Sequence, residues 1–311
     1  MINSNSPKKH HYIPEGYLKF FSNTQKQLWR RNKESTNCSI CTPAQVGYEK
    51  DGNRIRTKEI FNLAKLTDEN QIEKIAFKQL ENNYPRILSK LTSFSNSPII
   101  IDKNDYRLFL KSLVTIKRRN PTTRNTLIKS YIDSYNSEEA IPEFKAYLLE
   151  EAAKENVILD SNLEALIENY ISRRVSNPDW LYDMYLSAYL NPSDFKVIEN
   201  ITTQLYSLKQ FILHVPINKQ FITSDNPGFT KTKDLLISAG GFGSSFEFYF
   251  PLTPSTCLYL NSSIEEGSLT IEKAIYPSFL NENEVSEINR FTKIIANKKL
   301  FGNNRTILEA I

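Results

Sequence analysis

Cysteine is scarce: three residues in 311, an odd number, do not make a disulfide framework, and no stapled secreted scaffold is expected. Apolar runs span only a few residues, as at Ile99-Ile100-Ile101, far short of the ~20 that a membrane-spanning helix needs. Met1 to Lys9 is polar and lacks the apolar region of a secretory leader, so a cytoplasmic location with no membrane partner is the expectation. The net charge of +4 is too small by itself to mark a nucleic-acid binder. Histidine is equally scarce, with three residues, and two of them stand side by side at positions 10 and 11.

What is present describes a globular chain. Apolar residues make up 40% and aromatics 12%, enough to bury a full core. Basic residues gather in two places. Residues 1–33 hold Lys8, Lys9, Lys19, Lys26, Arg30, Arg31 and Lys33 against one acid, Glu15. The second run, Lys117, Arg118, Arg119, Arg124 and Lys129, contains no acid and would attract phosphate if folding brought it to one surface. Its position at a helix end also suits the helix dipole.

The pattern predicts one domain over 1–311. Residues 1–56 form an anchoring segment with a short hairpin, and 57–213 a helical body. An antiparallel sheet region at 214–280 and a closing helix and tail at 281–311 complete it. Ile72, Ile75, Ala76, Leu80, Tyr84, Ile87, Leu88 and Leu91 repeat at helical spacing, with Pro85 expected to kink or split the run. Tyr106 to Ile116 marks a second helix, stopped by Asn120-Pro121. Leu163 to Ile171, Leu181 to Leu190 and Ile201 to Leu213 read as three more. Strand signals follow at Phe221 to Thr223, Phe246 to Phe250, Cys257 to Leu260 and Ser268 to Tyr276, before a last helix over Glu282 to Lys298. The fold class is therefore α+β, mostly helical, with a small C-terminal antiparallel sheet and a closing C-terminal helix.

Four constellations carry chemistry. His11 precedes a turn begun by Pro14 and anchored by Tyr17, Leu18 and Phe21, so its imidazole is held for proton transfer rather than frayed. Glu81 shares a helix column with Phe77, Tyr84 and Leu88, which places a carboxylate on an apolar face. In "FITSDNPGF", residues 221–229, a strand ends in an acid and an amide, which are also ordinary turn formers. Cys38-Ser39-Ile40-Cys41 has zinc-knuckle spacing but no second pair, so no zinc is expected. Gly240-Gly241-Phe242-Gly243 lacks the context of a phosphate loop. Asp133 with Glu143-Phe144-Lys145 mimics a metal-nuclease set but reads as helix.

These segments resemble a bacterial and fungal family catalogued as domain of unknown function 4238. "KKHHYIPEGYLKFFS" is similar to its Lys-x-x-His-Tyr-[Val/Ile]-Pro opening, and "FITSDNPGF" to its Thr-Ser-Asp-Asn-Pro motif. "FPLTPSTCLYL", "RRNPTTR" and "EINRF" resemble further family segments in the same order. The resemblance singles out His11, Tyr12, Pro14, Tyr17, Glu81, Arg119, Arg124, Ser224, Asp225, Asn226 and Asn289, and picks His11 over His10, which is expected at the surface. "GYEKDGN", residues 47–53, departs from the family pattern of an acid and an aromatic pair. Cys38 and Cys41 are outside that pattern. The family lends a fold and a site but no reaction.

The expectation is a hydrolase-like enzyme acting on a phosphodiester or nucleotide, a nuclease for instance, with RNA, DNA or a nucleotide as partner. His11, Glu81 and Asp225 are the catalytic candidates; Arg119, Arg124, Ser224, Asn226 and Asn289 would bind substrate. No cofactor fingerprint is present, and a divalent metal held by Asp225 and Asn226 is one option for the orienting role. The alternative is a non-catalytic nucleic-acid- or protein-binding module, such as a component of a phage-defence or toxin-linked system, with the same residues forming a structural polar network. An open cleft at His11 and Asp225 would favour the enzyme, and a filled interior the network.

Overall fold

The computed structural model describes residues 9–58, 68, 71–73, 77–154, 162–187, 189, 192–232, 234, 237, 238, 242, 245–265 and 272–311. The N-terminal segment runs β1 (Lys9–His11), α1 (Glu15–Lys19), β2 (Leu28–Asn32), β3 (Cys38–Cys41) and β4 (Tyr48–Lys50). Tyr17, Leu18 and Phe21 are fully buried, so α1 anchors the chain start as its apolar spacing demands. β2 and β3 pair as the expected hairpin.

The middle of the chain is α2 (Lys78–Leu91), β5 (Ile99–Asp102), α3 (Lys103–Arg119), α4 (Pro121–Tyr135), α5 (Ala140–Lys154), α6 (Leu163–Val175), α7 (Pro178–Ser187) and α8 (Pro192–Ser207). α2 runs unbroken through Pro85, which only deprives the Glu81 carbonyl of its usual donor. Residues 74–76 of the predicted helix lie outside the described residues, as do Leu190 and the glycines of 240–243. α3 begins where the Asp102 carboxylate caps the N–H groups of Asn104 and Asp105. It ends at Asn120, whose side chain caps α4 by accepting from Thr122, with Pro121 as the first helical residue. One residue thus closes one helix and opens the next.

The C-terminal part is β6 (Leu208–His214), β7 (Thr223–Ser224), β8 (Phe229–Lys231), β9 (Ile237–Ser238), β10 (Glu247–Thr253), β11 (Thr256–Glu265), β12 (Glu272–Phe279), α9 (Glu282–Ile295), β13 (Lys299–Gly302) and α10 (Arg305–Glu309). The architecture is α+β, but the sheet is not the small antiparallel one expected. A seven-stranded sheet has the order β5-β12-β6-β11-β10-β8-β9, a four-stranded sheet the order β3-β2-β13-β7, and β1 pairs with β4. The large sheet is mixed, because β12 and β6 run parallel while the other pairs are antiparallel.

Two misread stretches account for the difference. The helix expected over Ile201 to Leu213 stops at Ser207, and Leu208–His214 becomes an interior strand between β11 and β12. Apolar residues stand on both faces of that strand, Leu208 and Ile212 on one and Phe211 and Leu213 on the other, which hides its two-residue period. Ile99–Asp102, inside the helical stretch, joins the same sheet through β12. Of the strand expected over Ser268 to Tyr276, residues 268–271 lie outside the described residues and the rest belongs to β12.

The sheet sits between two apolar layers. Phe246, Phe248 and Phe250 alternate as predicted and enter the principal core with residues of α1, α2, α3, α7 and α8. The opposite face packs Leu213, Phe229 and Cys257 against Val285, Ile288 and Phe291 of α9. Among the described residues no helix is long and apolar enough to cross a membrane.

Asn289 sits on the buried side of α9, as the sequence placed it. Its Oδ1 accepts from the Ile222 N–H at 3.0 Å, and its Nδ2 donates to the Gln220 carbonyl at 2.8 Å. The amide zips α9 to the chain entering β7. Asn289→Leu is expected to lower the unfolding free energy by about 2–3 kcal/mol, because two backbone groups lose their partner. Urea denaturation with an unchanged slope would check it.

Candidate functional site

Strand pairing places the histidines. β1 lies antiparallel to β4, with His10 opposite Glu49 and His11 opposite Tyr48. Alternation along β1 turns His10 inward, so it is 1% exposed rather than a surface residue. The period of two went unread because only three residues carry it. The Asn53 N–H donates to His10 Nδ1 at 2.8 Å, and Asn53 Nδ2 donates to Glu73 Oε2 at 2.6 Å. His11 is half-buried, its ring edge-on to Tyr48 at 5.7 Å.

Glu81 faces the same place from α2. It accepts from Arg119 Nη2 at 2.9 Å, rather than from Lys78. The Arg119 side chain is 2% exposed, and its guanidinium lies 4.2 Å from the centre of the Phe77 ring. Two environments then diverge. Burial lowers the His11 pKa; Glu81 and Glu15 oppose that, while Arg119 and Lys9 add to it. Burial raises the Glu73 carboxyl; Arg119, the Asn53 bond and His10 oppose, and Glu81 adds to the rise. Four nitrogens here are buried without a hydrogen-bond partner: His10 Nε2, His11 Nε2, Arg119 Nε and Arg119 Nη1. Beside Glu81 and Arg119 the described residues line a small cavity of about 10 Å³, room for about one water.

Arg124 belongs to a neighbouring pair. Its Nη1 and Nη2 donate to the two oxygens of Glu49 at 2.5 and 3.2 Å, and Nη1 reaches the Tyr182 hydroxyl at 3.1 Å. The 47–53 stretch therefore does supply an acid, Glu49, beside an aromatic pair, Tyr48 and Tyr182. Tyr12 feels both this pair and Asp225: burial raises its phenol, Asp225 and Glu49 add to the rise, and Arg124 opposes it.

The Ser224–Gly228 turn is spent on the fold. Asp225 Oδ1 accepts from the Asn297 N–H at 2.8 Å, and Oδ2 from those of Lys298 and Lys299 at 2.9 and 3.0 Å. Burial still raises its pKa, against the pull of those three donors. The Ser224 hydroxyl accepts from the Asn226 N–H at 3.1 Å. The Asn226 side chain donates to the Ile295 carbonyl at 3.1 Å and accepts from Lys117 Nζ at 2.9 Å. Lys117 also donates to the carbonyls of Pro227 and Gly228, at 2.9 and 2.7 Å. Burial pushes its ammonium down to about 7. Gly228 has φ +75°, and a Cβ there would lie 2.5 Å from a Phe250 ring carbon, so only glycine fits. Asn120 Nδ2 closes the knot on the Asp225 carbonyl at 2.7 Å.

Of the eight residues proposed from sequence, His11, Glu81 and Arg119 come together. Asp225, Ser224 and Asn226 form the adjoining turn, Arg124 pairs with Glu49, and Asn289 lies apart under α9. Sequence reasoning missed His10, Asn53, Glu73, Lys117 and Asn120. One signal was available: Leu110, Leu113, Val114 and Lys117 follow the i, i+3, i+4, i+7 spacing, which puts a lysine on a buried stripe. Cys38 and Cys41 lie in β3 with free thiols. Among the described residues no three His, Cys, Asp or Glu side chains are grouped to hold a metal ion.

A family model described as "Protein of unknown function (DUF4238)" matches residues 9–306, nearly the whole chain, and the chain belongs to that family. No curated protein and no solved structure matches it.

Asp225→Ala leaves three part-buried backbone N–H groups without their acceptor and is expected to cost about 2–3 kcal/mol, read by urea unfolding. A pH dependence follows from His11. Its folded-state pKa lies below the unfolded value near 6.5, so between the two the unfolded chain binds more protons and stability falls on acidification. His214, also lowered by burial, adds the same sign. The raised carboxyls of Glu73 and Asp225 act with the opposite sign, so the check is a difference: between about pH 7 and pH 5 the unfolding free energy should shift in the destabilising direction more in wild type than in His11→Gln.

Proposed function

We propose that this DUF4238 protein is a hydrolase-like enzyme acting on a phosphodiester or nucleotide, with its acid–base centre at His11. The supporting observation is the set of four buried, unpartnered nitrogens of His10, His11 and Arg119 beside the carboxylates of Glu73 and Glu81. Burial moves His11 toward the neutral imidazole and Glu73 toward the neutral acid, the opposed protonation states that a base and an acid need near neutral pH. In the step proposed, His11 Nε2 takes a proton from water as the water oxygen bonds to phosphorus. The bond to the leaving oxygen breaks, and Glu73 protonates that oxygen. Glu81 steadies the imidazolium, and the spare N–H groups of Arg119 take the non-bridging oxygens. Arg124, Ser224, Asp225 and Asn226 support the site's walls instead of touching substrate. The cavity of about 10 Å³ beside Glu81 and Arg119 holds no more than about one water, so a substrate reaching Arg119 from that side needs the site to open.

That small cavity favours the second reading, a binding module for nucleic acid or protein in which the same groups lock the fold. One comparison separates the two. Wild type, His11→Ala and Glu81→Gln are assayed on RNA, DNA and nucleotides, with and without divalent metal. The enzyme reading expects the wild type to cleave at least one of these and each variant to lose about 100-fold or more. Equal cleavage by wild type and His11→Ala, with unchanged stability, would remove the catalytic role. Absence of cleavage throughout, with the variants less stable, supports the module.

A further inference from the structure

The largest rings on the outer face of the seven-stranded sheet form one straight line. Tyr249 on β10 is register partner to both Phe229 on β8 and Tyr259 on β11. Tyr259 partners Phe211 on β6, and Phe211 partners Tyr276 on β12. Five aromatic side chains therefore run across five adjacent strands, neighbouring ring centres being 5.1, 4.8, 5.8 and 6.1 Å apart. All but Phe229 are only partly buried. Where α9 crosses the row, Phe291 faces Phe229 at 5.5 Å, and the space left between helix and sheet is a cavity of about 320 Å³. That size falls at the lower end of the roughly 300–1,000 Å³ range of small-molecule pockets.

The polar groups around it come from both sides. α9 presents Glu284 and Glu287, the former spending Oε2 on the Asn281 N–H of the helix cap, the latter 3.8 Å from Lys231. Behind the rings, Glu247 accepts from the Tyr259 and Tyr249 hydroxyls at 2.8 and 3.4 Å, which holds both rings in place. Lys209 lies 4.5 Å from the centre of the Tyr276 ring at the far end of the row. Phe229 and Tyr249 are nearly parallel at 19° and the remaining neighbours are tilted by 41–45°, so the rings line the cavity with aromatic surface that suits a planar heteroaromatic ring, and carboxylates at its edge suit an exocyclic amino group.

We infer that this cavity binds a nucleobase carrying an amino group, stacked on the Tyr249–Tyr259 pair with its amino edge toward Glu284 and Glu287. The base belongs either to a free nucleoside or to a single strand whose neighbouring bases continue along Phe211 and Tyr276. The site lies on the sheet face opposite the core that holds α2 and α3, so it is separate from the centre at His11 and does not rest on the hydrolase reading.

Calorimetric titration of the full chain tests it, with adenosine, cytidine, uridine and hexamers of A and of U as ligands. Adenosine and cytidine should bind, and uridine, which lacks an amino group, several-fold more weakly. Tyr259→Leu should weaken adenosine about tenfold, the scale of one lost base–aromatic stack. Glu287→Gln, a change at a half-exposed position, should weaken adenosine and cytidine but leave uridine unchanged. Oligo-A binding tighter than adenosine identifies a strand as the source, and equal binding a nucleoside; either supports the site. No saturable binding of adenosine or oligo-A overturns it. So does equal affinity in wild type and a folded Tyr259→Leu; if that variant does not fold, equal affinity in Glu287→Gln decides the same way. The His11→Ala chain should bind as wild type does, which keeps this result independent of any hydrolytic activity.

Discussion

A lysine ammonium buried without a carboxylate is the constraint on which the centre of this structure depends. Lys117 has three N–H groups and finds three oxygens, on Asn226, Pro227 and Gly228. Burial works against the charge and lowers its pKa to about 7. Three acceptors oppose that shift, because a neutral amine would leave one oxygen facing a lone pair. The turn carrying those oxygens therefore cannot relax without stranding a cation in the core, which ties residues 224–228 to α3.

The rest of the site is arranged around the end of that helix. Within eight residues of chain, Lys117 grips the turn, Arg119 meets Glu81 of α2, Asn120 meets the Asp225 carbonyl, and Arg124 meets Glu49 of β4. Asp225 in turn collects the N–H groups that lead from α9 into β13. Segments more than a hundred residues apart are joined at one helix corner. A charge change there acts on several elements at once, so stability must be measured beside activity in any variant of this region.

Much of the fold was legible where local chemistry acts alone. The helix stop at Asn120-Pro121, the anchor Tyr17-Leu18-Phe21, the Phe246–Phe250 alternation and the apolar column around Glu81 all appear where their spacing put them. Strands apolar on both faces were not legible, since Leu208–His214 has apolar residues on each side and reads as well for helix as for strand. The site was half legible for a similar reason. His11, Glu81 and Arg119 announced themselves by residue type, but the neighbouring His10, Asn53 and Glu73, joined by the two Asn53 hydrogen bonds, are ordinary polar residues until β1 pairs with β4.

Sequence by itself determined the break at Asn120-Pro121, the apolar faces of α1, α2 and β10 and the polar residues that had to find partners, because propensity, capping and periodicity are local. Only the tertiary structure decided which partner each one found: backbone N–H groups for Asp225, Glu49 for Arg124, carbonyl oxygens for Lys117. It also decided that five aromatics from five strands fall on one line, since strand order and register are set by pairings between residues far apart in the chain.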